Sequence, residues 1–292
     1  MPRIHANHID LEYQSLGPET AHAILLIMGL GVPLTRWPDE LCSTLVSRGY
    51  RVIRFDNRDC GLSSHCDTAP VPDIGAALRS GQPLQLPYTL EDMAADSIGL
   101  LDALHIDQAH IVGASLGGAI AQVIAARYPA RTRSLTCIMS SSGHPGLPPP
   151  TPAAAIALFA PLPASRDRES IVADALGRYR AIASPAYPTD PARLAAMFAA
   201  EYERSFDPRG VARQLAALIA HGDRRPLLAR IQAPTVVVHG AADPLIPPAC
   251  GQDVAEHIPG AELRLIPGMG HDFPLALVPL LADAITSAAA RA

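Results

Sequence analysis

The sequence predicts an α/β fold: a mostly parallel central sheet flanked by helices and interrupted by an all-helical insertion. Three observations carry that expectation. Short β-branched or apolar runs alternate with longer amphipathic stretches, the pattern of repeated strand-helix units and hence of parallel pairing. One run, Ala23–Ile27, holds no polar residue, as a strand covered on both faces requires. A proline cluster at 145–152 then ends the alternation, and no strand-like run returns until Thr235. With 49% apolar and 17% charged residues, a chain of 292 can bury a large core, so one α/β unit carrying an insertion accounts for the length. The expected division is a core of residues 1–143 and 231–292 and a helical cap of residues 144–230.

Each element has its own justification. Ile9–Tyr13 alternates with period two and reads as a half-exposed strand. Ala23–Ile27 is the first fully buried one. Trp37–Arg48 reads as a helix with Leu41, Leu45 and Val46 on its buried face, and Tyr50–Phe55 is the next strand. Leu90–Leu104 is a helix through Met93, Ile98, Leu101 and Leu104. His110–Gly113 is a short strand that runs into a Gly-rich turn and an Ala-rich helix ending near Tyr128, and Ser134–Met139 is a strand. The proline cluster can neither continue a helix nor sit inside a sheet, so it reads as a hinge. Beyond it lie only helix-like stretches, at 168–183, 190–204 and 208–220. Strands return at Thr235–His239 and Ala261–Ile266, and a helix from Leu275 closes the chain.

Composition removes several function classes. A net charge of −5 gives no ground for a nucleic-acid or anionic-membrane partner. All 23 basic residues are Arg, which excludes Schiff-base lysines, P-loop lysines and Ser-x-x-Lys acylation. Five cysteines with no C-x-x-C pair, and no H-E-x-x-H, give neither a metal site nor a disulfide framework, and no cofactor is expected. The N-terminus has no signal-like apolar run and no segment approaches the ~18 apolar residues of a membrane helix, so a cytoplasmic chain is expected.

The chemistry centres on Gly113-Ala-Ser115-Leu-Gly117, a G-x-S-x-G sequence. A capping turn could share those five residues. The apolar strand before and the Ala-rich helix after favour instead a serine held on a sharp strand-to-helix turn, exposed above the sheet. A hydroxyl needs a base. Of the 11 histidines, His271 follows the last strand on the Gly-flanked loop Gly268-Met-Gly-His271 and shares a sheet edge with Ser115. His5 and His8 precede the first strand, His239 ends a strand as a core group, and His221 and His257 read as solvated helix-end residues. Asp243, just past the penultimate strand, is the carboxylate on the same edge. Asp272 would have to turn back on its own backbone and Asp253 falls inside a helix, so both rank below it. Backbone donors for an oxyanion are assigned to Leu116, at the helix start, and to Leu30, on the glycine-containing loop Met28-Gly-Leu-Gly31. That loop lacks the third glycine of a dinucleotide-binding turn.

Four segments together make the chain resemble the α/β-hydrolase superfamily: Leu26-Ile-Met-Gly-Leu-Gly31, Phe55-Asp-Asn-Arg-Asp-Cys-Gly-Leu-Ser63, Gly113-Ala-Ser-Leu-Gly-Gly118 and Gly268-Met-Gly-His271. Within it, the wording is similar to bacterial esterases of the aclacinomycin methylesterase type. The resemblance implies the α/β-hydrolase fold, a helical cap over the pocket, and loop-holding roles for Asp56, Arg58, Gly61 and Ser63. It departs at Met28, where many relatives have His, and at Ala114, likewise. Met28 should make the pocket mouth more apolar.

The expected activity is acyl transfer from a small-molecule ester to water through an acyl-enzyme on Ser115. Lactonase and cofactor-free perhydrolase chemistry would use the same triad, and a non-catalytic binder of the same fold is the alternative of another class. Dehalogenases and epoxide hydrolases of this fold use an Asp nucleophile, which Ser115 argues against, and no acid pattern around Glu201 and Glu203 selects an aminopeptidase. Met197, Phe198, Tyr202 and Phe206 are the large apolar groups expected to roof the pocket, the last three on one helix face, and Trp37 is a candidate for its entrance. Each could instead pack a core.

Overall fold

The computed structural model describes residues 1–292, apart from the side chain of Leu78. In chain order the elements are β1 (Arg3–Ala6), β2 (Ile9–Leu16), β3 (Ala23–Ile27), α1 (Asp39–Ser47), β4 (Arg51–Phe55), α2 (Ile74–Ser80), α3 (Leu90–Ala103), β5 (Ala109–Ala114) and α4 (Leu116–Arg127). After β6 (Thr132–Ile138) come five helices without a strand: α5 (Pro152–Phe159), α6 (Arg168–Arg180), α7 (Pro191–Arg204), α8 (Pro208–His221) and α9 (Arg225–Leu228). The chain ends with β7 (Thr235–Gly240), α10 (Pro248–His257), β8 (Glu262–Ile266) and α11 (Val278–Ala289).

The eight strands form one sheet in the order β1-β2-β4-β3-β5-β6-β7-β8. β1 and β2 pair antiparallel, as do β2 and β4, and every pair from β4 to β8 is parallel. Parity divides β3 between two apolar layers. Ile24 and Leu26 pack with Trp37, Leu41, Leu45, Leu281 and Ile285, under α1 and α11. Leu25 and Ile27 pack with Met93, Leu101, Ile120 and Ile124, under α3 and α4. Burial on both faces explains why this strand shows no polar alternation. The parallel register brings the loops after β3, β5, β7 and β8 to one edge, where doubly covered sheets bind ligands.

Three elements depart from the sequence expectation. β1 forms a hairpin with β2 through Asn7 and His8, both at positive φ, so His5 lies in a strand rather than before the first one. α2 is short and follows a Pro-rich stretch that hides its period. The proline cluster does begin a helix, because Pro152 occupies its first turn, where no N–H is needed, and Thr151 caps it. The insertion expected at 144–230 holds α5 to α9. No helix among the described residues is long and apolar enough to cross a membrane.

His110, on β5, is 2% exposed beside His22, Tyr50 and the Ser134 hydroxyl. Burial, with Arg133 and His22, pushes its pKa down from 6.5 to about 4. The unfolded chain therefore binds a proton near pH 6.5 that the native chain refuses until about 4, and native stability should fall as pH drops through that window. The expected loss is about 3 kcal/mol. Urea titrations at pH 7, 5.5 and 4.5 should show it, and His110→Gln should lessen the slope over the same range by that amount.

Candidate active site

Ser115 joins β5 to α4 at φ 54° and ψ −118°, a conformation L-residues rarely adopt. Two glycines make the turn possible by close approach. A Cβ on Gly113 would lie 2.1 Å from the Gly117 carbonyl oxygen, and one on Gly117 would lie 2.0 Å from the Ile27 carbonyl oxygen at the end of β3. The Ser115 N–H donates to Ile138 O at 2.9 Å, and the Ser140 hydroxyl donates to Ser115 O at 2.8 Å. The serine is thus pinned on both backbone sides while its hydroxyl points off the sheet.

His271 Nε2 lies 3.1 Å from Ser115 Oγ, and its Nδ1 lies 2.7 Å from Asp243 Oδ2. The Asp243 carboxylate is buried, and its Oδ1 accepts the N–H groups of Leu245 and Ile246, each at 2.9 Å. A buried carboxylate so held makes Nδ1 the protonated nitrogen, leaving Nε2 to accept a proton from the serine. His239 is fully buried beside them, with Nε2 2.8 Å from Ile246 O and 3.5 Å from Asp243 Oδ2. Burial pushes its pKa down, so it is neutral and donates to the Ile246 carbonyl.

The loop after β3 crosses directly over the serine: a Cβ at Gly29 would sit 3.3 Å from Ser115 Cβ. Asn57 Nδ2 donates to Met28 O at 3.0 Å. The N–H groups of Leu30 and Leu116 donate to no acceptor among the described residues. The segment after β4 supports this loop. Asp56, fully buried, accepts the N–H groups of Leu34 at 2.7 Å and Leu62 at 2.8 Å and pairs with Arg204 of α7. Ser63 Oγ donates to Asp56 O and accepts Glu12 N–H, while Arg58 is bidentate with buried Asp96. A Cβ at Gly61 would lie 2.1 Å from the Asp56 carboxylate, at φ +58°.

The pocket candidates fare differently. Trp37 is fully enclosed, its ring 5.0 Å from Phe273, so it anchors the core and lines no entrance. Met28 is 3% exposed in the same layer, so it does not make a pocket mouth apolar. Its parity continues that of β3, which turns the side chain toward α1. Phe198 is buried between Tyr179 and the Arg36 guanidinium, and Met197 beside it is half-buried. Phe206 lies beyond the end of α7, because Ser205 is already extended, so it does not share the helix face of Phe198. Its ring lies 5.6 Å from that of Tyr202 at a tilt of 41°, and the Tyr202 hydroxyl donates to Arg166 O. His221 is not solvated: its side chain is 9% exposed and lies 3.1 Å from Glu91. Asp272 does not turn back toward His271. Its carboxylate accepts Tyr179 Oη–H at 2.6 Å, Ser184 N–H at 3.1 Å and the Ser184 hydroxyl, and burial pushes its pKa up.

The sequence reading missed two contacts from the insertion. Ile182 O accepts the His271 N–H at 2.7 Å, and Gln214 Oε1 accepts the Gly31 N–H at 2.8 Å. A backbone carbonyl leaves no mark in a sequence. A buried Gln in a helix that carries Arg and Gln among apolar residues leaves only a faint one. Among the described residues, Asp59, His65 and Asp207 are close enough to share a metal ion. Their carboxylates are already committed, Asp59 to Arg213 at 2.7 and 2.8 Å and Asp207 to His65 and Arg209.

A family model described as alpha/beta hydrolase fold matches residues 23–275. The chain is 30% identical to rhodomycin D methylesterase of Streptomyces peucetius, over 96% of this chain and 94% of that protein. It is 28% identical to 3-oxoadipate enol-lactonase 2 of Acinetobacter baylyi, over 89% of this chain and 86% of that protein. The crystal structure of the enol-lactonase from Burkholderia xenovorans LB400 matches with a TM-score of 0.72 at 24% identity, covering 98% of this chain and 99% of that one.

The crowding at Gly117 gives a direct test of the turn. Gly117→Ala drives a methyl group into the carbonyls of Ile27, at the end of β3, and Met28 just beyond it, and overpacking of a backbone contact should cost about 1–3 kcal/mol or more. Thermal or urea denaturation measures it. Gly81→Ala is the control at a Gly in open space on the surface, where only its positive φ opposes a side chain, and should cost about 1 kcal/mol.

Proposed function

The chain belongs to the alpha/beta hydrolase fold family and is a carboxylic ester hydrolase, and from that premise we propose that Ser115, His271 and Asp243 cleave the ester through an acyl-enzyme. His271 Nε2 takes the hydroxyl proton as Ser115 Oγ bonds to the ester carbonyl carbon. The carbonyl oxygen becomes an oxyanion and is held by the N–H groups of Leu30 and Leu116, with the α4 dipole behind the second donor. Collapse breaks the carbon–oxygen bond, and the alcohol leaves with the proton from His271. Water, deprotonated by the same nitrogen, then releases the acid from Ser115. Asp243 holds the imidazole tautomer and stabilises the imidazolium formed in each half.

One observation carries this reading: the continuous contact from Asp243 Oδ2 through His271 to Ser115 Oγ, 2.7 and 3.1 Å, near two N–H groups with no acceptor among the described residues. The substrate is a small-molecule ester, the co-substrate water, and no cofactor takes part. The 30%-identical methylesterase supports a methyl ester as the first substrate class. The 28%-identical enol-lactonase supports a lactone as the second, where the leaving alcohol stays tethered to the acid. Residues 144–230 serve as the cap, and the free cysteines suit a cytoplasmic, reducing setting.

A fluorophosphonate should modify Ser115, and Ser115→Ala should lower kcat/KM on p-nitrophenyl acetate by about 10⁴-fold or more. Asp243→Asn should cost about 10⁴-fold, and adding it to Ser115→Ala should cost little further. Wild-type activity in Ser115→Ala would end the Ser115 mechanism, and a protein that the fluorophosphonate leaves untouched would favour a non-catalytic binder. A panel of p-nitrophenyl esters, methyl esters and lactones ranks the two substrate classes.

A further inference from the structure

Gln214 is a fully buried amide on α8, and both ends of it are used. Its Oε1 accepts the Gly31 N–H at 2.8 Å, and its Nε2 donates to Arg58 O at 2.7 Å. The first partner belongs to the loop that crosses Ser115, the second to the segment after β4 that supports it. Val211, one turn earlier on the same face of α8, abuts the same loop: a Cβ on Gly31 would fall 2.5 Å from Val211 Cγ2. Arg213 ties the helix down beside them through its bidentate pair with Asp59, both side chains fully buried. On the other side of the loop, Asn57 holds Met28 O. The N–H of Leu30 therefore sits between a pin from the core at Met28 and one from the cap at Gly31, within a turn that a longer bond from Val32 N–H to Gly29 O, 3.3 Å, closes on its own plane.

We infer that Gln214 is a positioning residue for the oxyanion hole: through Gly31 it sets the orientation of the Leu30 N–H, so acyl transfer depends on α8 being seated. This rests on the serine-hydrolase reading above. The physical reason is the coupling of adjacent peptide planes. The Leu30 N–H belongs to the Gly29–Leu30 peptide, and the next plane, Leu30–Gly31, is the one that Gln214 grips. Released from that grip, next to a glycine at φ +64°, the second plane can turn and carry the first with it. The amide satisfies both partners at once, since one is an N–H and the other a carbonyl. Ionised Glu would keep the acceptor and lose the donor, and Leu would leave two polar groups buried without partners.

The test compares wild type, Gln214→Leu and Gln214→Glu on p-nitrophenyl acetate, with kcat expressed per Ser115 labelled by a fluorophosphonate. Gln214→Leu should lower kcat per labelled site about 10- to 100-fold, since a displacement near 1 Å at a reacting group costs up to about 100-fold, while KM moves less than about threefold. A trifluoromethyl ketone, which forms a tetrahedral oxyanion adduct, should bind more weakly by the same factor. Gln214→Glu should fall between the two, and it carries the test alone where Gln214→Leu does not fold. Unchanged kcat per labelled site, or a loss confined to KM or to the labelled fraction, overturns the inference and leaves Gln214 a purely structural residue. A wild-type protein that is not labelled overturns the serine mechanism and this inference with it.

Discussion

A serine in a left-handed conformation costs about 1–3 kcal/mol, and the rest of the site depends on that cost being met. Here it is met by backbone packing. Gly113 and Gly117 let the turn close against itself and against the end of β3, and hydrogen bonds from the β6 end fix both sides of Ser115. The same closeness brings the β3 loop over the hydroxyl, so the strain that lifts the serine also supplies its neighbours. Parallel register does the rest, because it delivers the loops of Asp243 and His271 to the same edge.

Much of this is legible in the sequence, and the reason is periodicity. β3 declares itself by lacking alternation, α3 by its apolar spacing, and the turn at Ser115 by glycines that only close backbone contact requires. Ser115, Asp243 and His271 are legible by position, as residues that follow strands of one parallel sheet. What the sequence hides is direction. Trp37 and Met28 have the chemistry of pocket residues, yet strand parity and a neighbouring helix turn them inward. Phe206 keeps helical spacing from Phe198, but the helix ends before it. Gln214 is one polar residue among several on α8, and its two partners come from loops more than 150 positions away.

The insertion meets the core through several buried and part-buried polar contacts. Arg213 pairs with Asp59, Arg204 with Asp56, and Arg36 with Glu201, while the amide of Gln214 and the carbonyl of Ile182 reach the site loops. Desolvating charge is costly, and such pairs add little stability over a well-packed apolar contact. What they add is register: guanidinium and carboxylate planes match in one alignment, and a slid or rotated helix would leave charges buried without partners.

That alignment has a consequence for idle enzyme. His271 and the loop after β3 are both fastened to the insertion, His271 at Ile182 and Gly31 at Gln214. Lifting the insertion off the sheet would cut both fastenings in a single event, loosening the proton acceptor and the anion donors together. Under the proposed mechanism, exposure of Ser115 to bulk solvent and its disarming would then be one motion, a safety interlock made from two hydrogen bonds.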